Sequence, residues 1–551
     1  MSTSTHSSAT NVDAGDDESP TVEALFLIRF DKKVGYTVAW KRSTADISLE
    51  NAVEYKSLPS GLHSVASDLV YFTHDGYAGL SAFARGDASA QDRNANFVSV
   101  GVLARRDGGY GRLGRIWLLA GRLEKLAATL AEDAEAVAPL EEFWAEQTSH
   151  MKPHGEASSE SKGHSRARVI STASAITKDD ERLPDHHPAL SILPYMDVFG
   201  PLVFRLQQAA LLRKRILFVG SPPVRAMCEF VYILSILSTL SARDSELLLP
   251  GTEPLLRLPT LFTVGVHDIP SLEASRTPGN DSTLSSDSAQ GWAACTTDEI
   301  IATKAKLYDI IVELPQPQDT QHRWPRVRTS SGTQLKASQR DVARYKLLHK
   351  ELFKHRQRLQ TSYTDEEQEQ EQDQEEEQDQ DQDQDQDQDK QNTDPLISRD
   401  SIDAQRADEA YAESYDNSVV EPMGWSRLAF MGFMWWASAG EKDAYTTAER
   451  DMDRELLSQL SMSGVMETSV IAYFHRQASA LVQGLAEMTE ADEEEEDVLV
   501  LERMDMARLG LDAWSEADKA FVSEFADMYL GRAVDFRGGE VDCCGLRVQL
   551  C

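Results

Sequence analysis

The chain has 551 residues, 41% of them hydrophobic, which is enough for several domains with buried cores. Its formal net charge is −36; residues 365–389 contain fifteen Asp or Glu and no Lys or Arg, so the remainder still carries −21. A nucleic-acid-binding protein needs a basic surface to contact phosphates. The composition therefore argues against that class, and an anionic membrane would repel the average surface, although a local basic patch can still dock.

The cysteines and the N-terminus indicate a cytoplasmic protein. There are five cysteines, an odd number, and none forms a CxxC pair. The N-terminus is rich in Ser and Thr and has neither the basic start nor the apolar core of a signal peptide. No run of about 18 clean apolar residues occurs, so we expect no transmembrane segment.

Residues 1–20 are polar and are predicted to be disordered. Beyond them, apolar runs rich in aromatic or β-branched residues, each bounded by Gly or Asp, predict five strands. These strands are 24–30, 35–40, 67–72, 77–84 and 96–103. Their even spacing suggests an antiparallel meander, and leucines at helical spacing predict helices over 112–149. Residues 21–149 are thus expected to form one α/β sandwich domain.

A Ser-, His- and Gly-rich linker over 150–187 leads to a second predicted domain over 188–320. Helical and strand-like runs alternate in it, which predicts an α/β domain with a mostly parallel sheet. The predicted helices are 201–212, 224–240 and 298–306, and the predicted strands are 216–219, 261–266, 293–297 and 307–314. A Pro-Pro turn follows the first strand.

The rest of the chain is predicted to be helical apart from one insert. Within 335–360, residues 341–360 form a basic amphipathic pattern. The insert over 361–395 contains acid–Gln repeats that cannot bury apolar area, so we read it as a disordered, solvated spacer, with binding to a basic partner as the alternative. The predicted helices of the C-terminal domain 396–551 are 423–440, 450–460, 467–487 and 498–511, followed by a β tail over 533–551.

Motifs of covalent catalysis are missing from the sequence. There is no GxxxxGK[ST] phosphate loop and no GxSxG nucleophile elbow. Ser221 follows a strand as a nucleophile would, but Pro222 removes the N–H that an oxyanion hole would use. We therefore expect no covalent catalysis and no cofactor, with an enzyme of unrecognised site as a remaining alternative.

The sequence contains only weak indications of metal-binding or lipid-attachment sites. His186 and His187 are adjacent, so their side chains diverge, and no Cys or acidic cluster accompanies them; we expect no metal. His475 lies among apolar helix positions and is read as a core or boundary histidine. Cys543 and Cys544 are candidate S-acylation sites. The helix 423–440 is apolar nearly all round, which favours a core position over an interfacial membrane anchor.

Several segments in order resemble the LCHN-type, or Avl9-related, branch of the DENN domain family. They cover residues 22–360 with gaps, whereas GFMWWASAGE at 432–441 and VDCCGLRV at 541–548 resemble an extension of fungal members. The main segments are 54–63 (EYKSLPSGLH), 210–218 (ALLRKRILF), 264–273 (VGVHDIPSLE), 294–308 (ACTTDEIIATKAKLY) and 341–347 (DVARYKL).

The resemblance implies a tripartite α/β fold: a longin-like domain, a central DENN domain with a mostly parallel sheet, and a helical C-terminal part. It also implies guanine-nucleotide exchange on a Rab GTPase in vesicle traffic, in the cytoplasm or peripherally on endomembranes. We expect the GTPase in a groove between the first two domains. A scaffold that binds GTPases without exchange is the alternative function, and a structural role is the alternative for each candidate residue. The candidates are Lys56, Ser60, His63, Arg213, Lys214 and Arg215.

Overall fold

The computed structural model describes the greater part of the chain. The described residues are 20–31, 33–44, 46–86, 97–106, 112–133, 136–149, 183–275, 291–316, 323–378, 415, 418–437, 445–458, 460, 465–491, 498–537, 540–543 and 546–549. They belong to two compact units. The first contains the residues before Pro59, those from Val65 to Ser149, and Pro184–His187, and the second contains Pro59–Ser64 and everything described from Pro188 onward.

The first unit contains an antiparallel sheet with the strand order β3-β4-β5-β1-β2. All five predicted strands are confirmed, but the meander is wrong, because β1 pairs with both β5 and β2. The physical reason is that residues 24–28 of β1 are fully buried, which favours an internal strand. The strands are β1 (Val22–Asp31), β2 (Gly35–Ser43), β3 (Ser67–His74), β4 (Tyr77–Arg85) and β5 (Phe97–Ala104).

Helices α1 (Val53–Lys56), α2 (Ala120–Glu132) and α3 (Ala138–Ser149) complete the first unit. Helix α2 buries residues at i, i+3, i+7 and i+10, namely Ala120, Leu123, Ala127 and Leu130, and packs on β4 and β5. The predicted helical stretch 112–149 is confirmed in type, although a 3-10 turn over Ile116–Leu119 precedes α2.

The second unit contains a mostly parallel sheet, as predicted, with the strand order β10-β9-β6-β8-β7. Only β10, which the sequence did not predict, is antiparallel to its neighbour β9. The strands are β6 (Ile216–Val219), β7 (Thr260–Thr263), β8 (Ala293–Thr296), β9 (Ile310–Glu313) and β10 (Arg326–Thr329). The flanking helices are α4 (Ile192–Phe199), α5 (Leu202–Leu211), α6 (Arg225–Leu237), α7 (Ile269–Ala274) and α8 (Glu299–Thr303).

Alternating residues of this sheet face two different helical layers. On one face, Leu217 and Ala294 cluster with Leu272 of α7 and Ile301 of α8. Successive strand residues point to opposite faces, so Cys295 is on the other face, where its Sγ lies 3.6 Å from Sγ of Cys228 in α6. The connections that follow β6 and β8 therefore leave the sheet on opposite faces.

The C-terminal part is mostly helical, as predicted, and shares a core with helix α5 and the segment that follows α6. Leu211 of α5 and Leu240 pack in one buried cluster with Val482, Leu485 and Phe525. The elements are α9 (Gln339–Gln378), α10 (Trp425–Ala437), α11 (Thr447–Ser458), α12 (Met466–Ala491), β11 (Val498–Leu501), α13 (Arg503–Arg508), α14 (Glu516–Leu530), β12 (Ala533–Phe536), β13 (Glu540–Cys543) and β14 (Leu546–Gln549).

Three sequence expectations for this part were wrong or incomplete. The predicted helix 498–511 begins as strand β11, because the run VLVL pairs in parallel with β12, and α13 begins only after Glu502. Helix α14 was not predicted. Helix α9 continues past the predicted end at residue 360 to Gln378, so helical backbone enters the acid–Gln segment, whereas residues 379–389 lie outside the described residues.

Helix α10 is not buried all round where its side chains are described. Arg427 and Phe430 are buried, but the Trp425 side chain is 87% exposed and Leu428 is also exposed. The prediction that this helix is buried on every side is therefore wrong for its first two turns, where one side is buried and the other is exposed.

Candidate functional site

The carboxyl ends of parallel strands are the usual place for binding sites in α/β folds, at the point where neighbouring connections diverge. In the second unit this point lies between the adjacent strands β6 and β8, because their connections leave on opposite faces of the sheet. The candidate site therefore comprises the loops that follow β6, β7 and β8.

The loop after β6 is a proline turn with a second chain segment packed on it. Gly220 and Ser221 lead to the cis-linked pair Pro222–Pro223. A Cβ added to Gly61 would lie 3.3 Å from Cγ of Pro222, and the φ of Gly61 is +85°, so a glycine is required there. Ser60, next to it, is exposed, as is Ser221.

The loops after β7 and β8 add exposed apolar and titratable side chains. Val266 is 36% exposed and Ile300 is 59% exposed, and His267 is exposed beside them. Burial raises the pKa of Asp298, and the backbone N–H of Val266 and the nearby His267 partly oppose that rise. We call Ser60, Ser221, Val266, His267 and Ile300 the carboxyl-edge surface; its mixture of apolar and polar groups suits docking of a protein partner.

The basic corner Arg213, Lys214 and Arg215 lies at the opposite, amino edge, directly before β6 begins. A four-residue strand separates the two edges by about 13 Å at ~3.3 Å per residue. Ser60, packed beside the proline turn, and Arg215 therefore lie at opposite ends of β6. The structure does not bring these predicted site residues together.

Each member of this basic corner has an internal partner. Arg213 is buried; its Nε donates to the Leu255 carbonyl at 2.5 Å and its Nη1 to the Ala210 carbonyl at 2.6 Å. Lys214, partly exposed, pairs with Glu524. Arg215 donates from Nη2 to Oδ1 of Asp309 at 2.7 Å. Burial tends to raise the pKa of Asp309, but the hydrogen bonds and charge of Arg215 outweigh burial and lower it.

A cavity of about 600 Å³ opens at this amino edge. Two of its polar side chains bind protein partners: Asp309 accepts from Arg215, and the Tyr308 hydroxyl donates to the Ala302 carbonyl at 2.6 Å. Among the lining residues no hydroxyl is paired with a histidine or a free carboxylate. The residues that line it are Arg213, Arg215, Ser275, Gly291, Ala305, Lys306, Tyr308, Asp309, Ser330 and Ser331.

The remaining predicted site residues are dispersed. Lys56 ends α1 in the first unit, and its Nζ donates to the Thr73 carbonyl at 2.8 Å. His63 lies in a single turn over Leu62–Ser64, and its side chain is outside the described residues. Of the two candidate S-acylation sites, Cys543 lies in β13 without a described side chain, and Cys544 lies outside the described residues. The roles assigned to these residues stay predictions.

The structure describes the surroundings of two of these histidines. His475 is partly buried, and its Nε2 lies 2.8 Å from the Ile236 carbonyl, as expected of a boundary histidine. His187 stacks edge-on against Trp117 with ring centroids 4.8 Å apart, and burial lowers its pKa to about 4, with Arg115 contributing. Among the described residues, no group of three or more His, Cys, Asp or Glu is arranged to hold a metal ion.

None of the individual helices in the described ranges is both long and apolar enough to cross a membrane. Residues Pro188–Phe199 and Leu202–Leu211 meet the length and composition criteria only when taken together, and a bend of 119° separates them.

Val266, His267 and Ile300 were not among the site residues predicted from the sequence. The signal was present, because the first two lie within VGVHDIPSLE and the third within ACTTDEIIATKAKLY, two of the segments that carried the family resemblance. The sequence did not specify the strand order, which places the loops after β7 and β8 at the same sheet edge as the proline turn.

Comparisons with known proteins agree with this fold. The family model described as DENN domain-containing protein 11 matches residues 25–323, and a model described as a domain of unknown function (DUF4484) matches 420–498 and 485–549. The chain is 30% identical over 334 residues to DENN domain-containing protein 11 of Xenopus laevis, covering 60% of this chain and 69% of that protein.

Two other relatives differ in how much of the chain they match. The mouse DENN domain-containing protein 11 is 30% identical over 305 residues, which is 55% of this chain and 59% of the mouse protein. The Saccharomyces cerevisiae protein named "Uncharacterized protein ANR2" is 23% identical over 571 residues, 94% of this chain and 93% of that protein. Because the family model matches more than half of the sequence and the Xenopus protein is covered over two thirds of its length, the chain belongs to the DENN domain-containing protein 11 family.

Proposed function

We propose that the chain is a DENN-type guanine-nucleotide exchange factor for a Rab GTPase in vesicle traffic. Membership of a DENN family supports a small GTPase as the partner, since DENN proteins are generally Rab exchange factors. The chain would act by stabilising the nucleotide-free GTPase, and no bond is made or broken in that reaction.

Exchange requires only differential binding. A surface that binds the empty GTPase more tightly than the loaded one weakens nucleotide binding by the same factor. A ten-thousandfold faster release corresponds to a barrier lower by about 5.5 kcal/mol, at ~1.36 kcal/mol per tenfold. A few well-placed interface side chains supply energies of that size.

The observation that carries the proposal is the carboxyl-edge surface. Ile300 and Val266 expose apolar area at the sheet edge that binding sites of α/β folds use, beside the polar His267 and Ser221. By contrast, Arg213 at the amino edge is buried, with Nε and Nη1 donating to backbone carbonyls, and Lys214 is only partly exposed and pairs with Glu524.

The test is release of mant-GDP from a panel of Rab GTPases, with wild type and two matched variants. Ile300→Asp introduces a charge at the carboxyl-edge surface and is expected to reduce the exchange rate at least about tenfold, which is ~1.4 kcal/mol. Leu247→Asp introduces the same charge at an exposed leucine outside this surface and is expected to leave exchange unchanged. Thermal unfolding of both variants checks that the fold is retained.

The outcome also separates the alternative function. A chain that binds GTP-loaded Rab in preference to nucleotide-free Rab and releases no mant-GDP is a scaffold or effector. Exchange that survives Ile300→Asp but is lost in Lys214→Glu would move the site to the amino edge and overturn the assignment to the carboxyl edge.

A further inference from the structure

Helix α10 turns apolar residues toward solvent. Among the residues of α10 whose burial the structure describes, the exposed ones are Trp425, Leu428, Ala429 and Gly432. At about 100° per residue, these positions fall within an arc of roughly 100° on one side of the helix. None of the four carries a charge. We call these four residues the apolar stripe.

The opposite side of α10 faces the protein and carries a charged anchor. Arg427 is buried, and its Nη1 donates to Oδ2 of Asp512 at 2.7 Å. Phe430 is also buried, and its ring centroid lies 5.3 Å from that of Trp514 and 4.1 Å from Cζ of Arg503. These contacts fix which side of the helix points outward.

This orientation is the reverse of that of an ordinary surface helix, which buries its apolar side and exposes its charges. Trp425 is the most exposed of the large hydrophobic residues that the structure describes, and Met423, two residues before the helix, is exposed as well. Apolar surface in contact with water is unfavourable. A continuous exposed apolar surface on a folded chain marks a site for a protein or a membrane.

The apolar stripe is too small to hold two copies of the chain together. Trp425, Met423 and Leu428 are 87%, 47% and 42% exposed. Even if each offered about 200 Å² in total, as a large aromatic side chain does, the exposed part would be roughly 350 Å². A specific stable interface buries about 800 Å² on each partner. A second copy is therefore a poor occupant.

A lipid surface fits the apolar stripe better. Tryptophan is enriched where lipid headgroups meet acyl chains, and helices with Trp and Leu on one side lie at this boundary. Helix α10 has 13 residues and is about 20 Å long, whereas the hydrocarbon core is ~30 Å thick, so the helix is long enough to lie on a membrane but not to cross it. The net charge of −36 disfavours anionic headgroups.

We propose that the apolar stripe of α10 docks on a phospholipid surface with neutral headgroups, and that Trp425 inserts into it. Because Arg427 and Phe430 hold the opposite side, the helix does not have to rotate or to form on binding. The contact holds the C-terminal part of the chain against the lipid. It does not involve nucleotide exchange, so its test is independent of the proposed function.

Flotation of the full chain with phosphatidylcholine vesicles tests this. We expect wild type to float with the vesicles and Trp425→Asp to bind at least about fivefold less, because a carboxylate must be desolvated to insert. Leu247→Asp places the same charge at an exposed leucine outside the apolar stripe and is expected to bind as wild type does. Replacing part of the phosphatidylcholine by phosphatidylserine is expected to weaken binding at low salt. Thermal unfolding checks that both variants keep the fold.

A further variant locates the contact at Trp425 itself. Trp425→Phe keeps an apolar ring and is expected to bind within about twofold of wild type. Brominated phosphatidylcholine is expected to quench part of the tryptophan fluorescence of wild type, and that part should be missing from Trp425→Phe.

Four outcomes would overturn the proposal. Wild type that does not float with the vesicles would remove the lipid surface as the occupant. Vesicle binding that Trp425→Asp leaves unchanged would place the lipid contact elsewhere on the chain. Stronger binding to vesicles with phosphatidylserine would contradict the choice of neutral headgroups. A concentration-dependent dimer in sedimentation velocity that Trp425→Asp abolishes would assign the apolar stripe to a second copy.

Discussion

Nη1 of Arg205 lies 2.6 Å from Oδ1 of Asp518, and both side chains are buried although 313 residues separate them in the chain. Arg205 belongs to α5, beside the central sheet, and Asp518 to α14, near the C-terminus. The same guanidinium donates to Ser515 Oγ at 2.9 Å and to the Lys336 carbonyl at 2.8 Å. One arginine thus ties the central α/β part, the start of α9 and the C-terminal helices into one core.

Removing this arginine should destabilise the second unit strongly. Arg205→Met leaves the buried carboxylate of Asp518 without its cation and Asp341 with Arg344 alone, which costs about 3–5 kcal/mol. Urea unfolding followed by tryptophan fluorescence measures the loss. Arg205→Lys should rescue little, because one ammonium cannot replace the several directed donors of a guanidinium. An unchanged urea midpoint for Arg205→Met would show that the network contributes nothing.

The pair between Arg215 and Asp309 should stabilise the second unit in a pH-dependent manner. The folded-state pKa of Asp309 is lowered, so the stabilisation is present above about pH 4, the unfolded pKa, and is lost as pH falls through the lower folded value. Asp309 is partly exposed, so Asp309→Asn is expected to cost only about 1 kcal/mol at pH 7. Urea midpoints of wild type and variant should converge as the pH falls below 4 through the lowered folded-state pKa of Asp309; a constant difference would contradict the assignment.

His187 should make the first unit sensitive to mild acid. Burial lowers the folded-state pKa of His187 to about 4. Between pH 6.5 and 4 the unfolded state therefore binds the proton more tightly, and the free energy of unfolding decreases as the pH is lowered. The loss attributable to this residue is up to ~3 kcal/mol at ~1.36 kcal/mol per pKa unit.

Replacing His187 by Asn should flatten the thermal stability of the first unit across this pH range. His186→Asn is the matched control at the adjacent position. The φ of His186 is +62°, a conformation that Asn tolerates. Equal pH profiles for His187→Asn and wild type would exclude His187 as the acid-sensitive group.

Gly291 is required by a backbone contact before β8. A Cβ added there would lie 1.6 Å from the carbonyl oxygen of Arg213, and a backbone atom cannot move aside as a flexible side chain can. Gly291→Ala is expected to destabilise the second unit by about 3 kcal/mol. Gly424→Ala, which meets nothing within 4 Å, should stay within about 0.5 kcal/mol of wild type in the same urea titration.

Much of the secondary structure followed from local pattern. The strand 216–219 was predicted at its observed bounds, and the five strands of the first unit were all present, because short apolar runs between Gly and Asp residues have few alternatives. The pattern failed at residues 498–501. VLVL suits a strand or a helix equally, and only its parallel pairing with residues 533–536 decides between them.

The candidate site shows the same limit. Arg213, Lys214 and Arg215 are an evident basic cluster in the sequence, yet a buried cation that hydrogen-bonds to backbone carbonyls cannot be told from an exposed one by its spacing alone. Ser60 and Arg215 were expected at one groove. Instead, the proline turn, beside which Ser60 lies, follows strand β6, and the basic corner precedes it, so the two residues lie at opposite ends of the strand.

The sequence by itself determined the α/β character of both units, the helical C-terminal part and the family, because these depend on hydrophobic periodicity and on the order of short segments. Tertiary structure alone decided that β1 is an internal strand, that Arg205 and Asp518 share one buried ion pair, and that Ile300, rather than Arg213, is exposed at a sheet edge. Strand order and burial arise from contacts between residues far apart in the chain, and no local pattern specifies them.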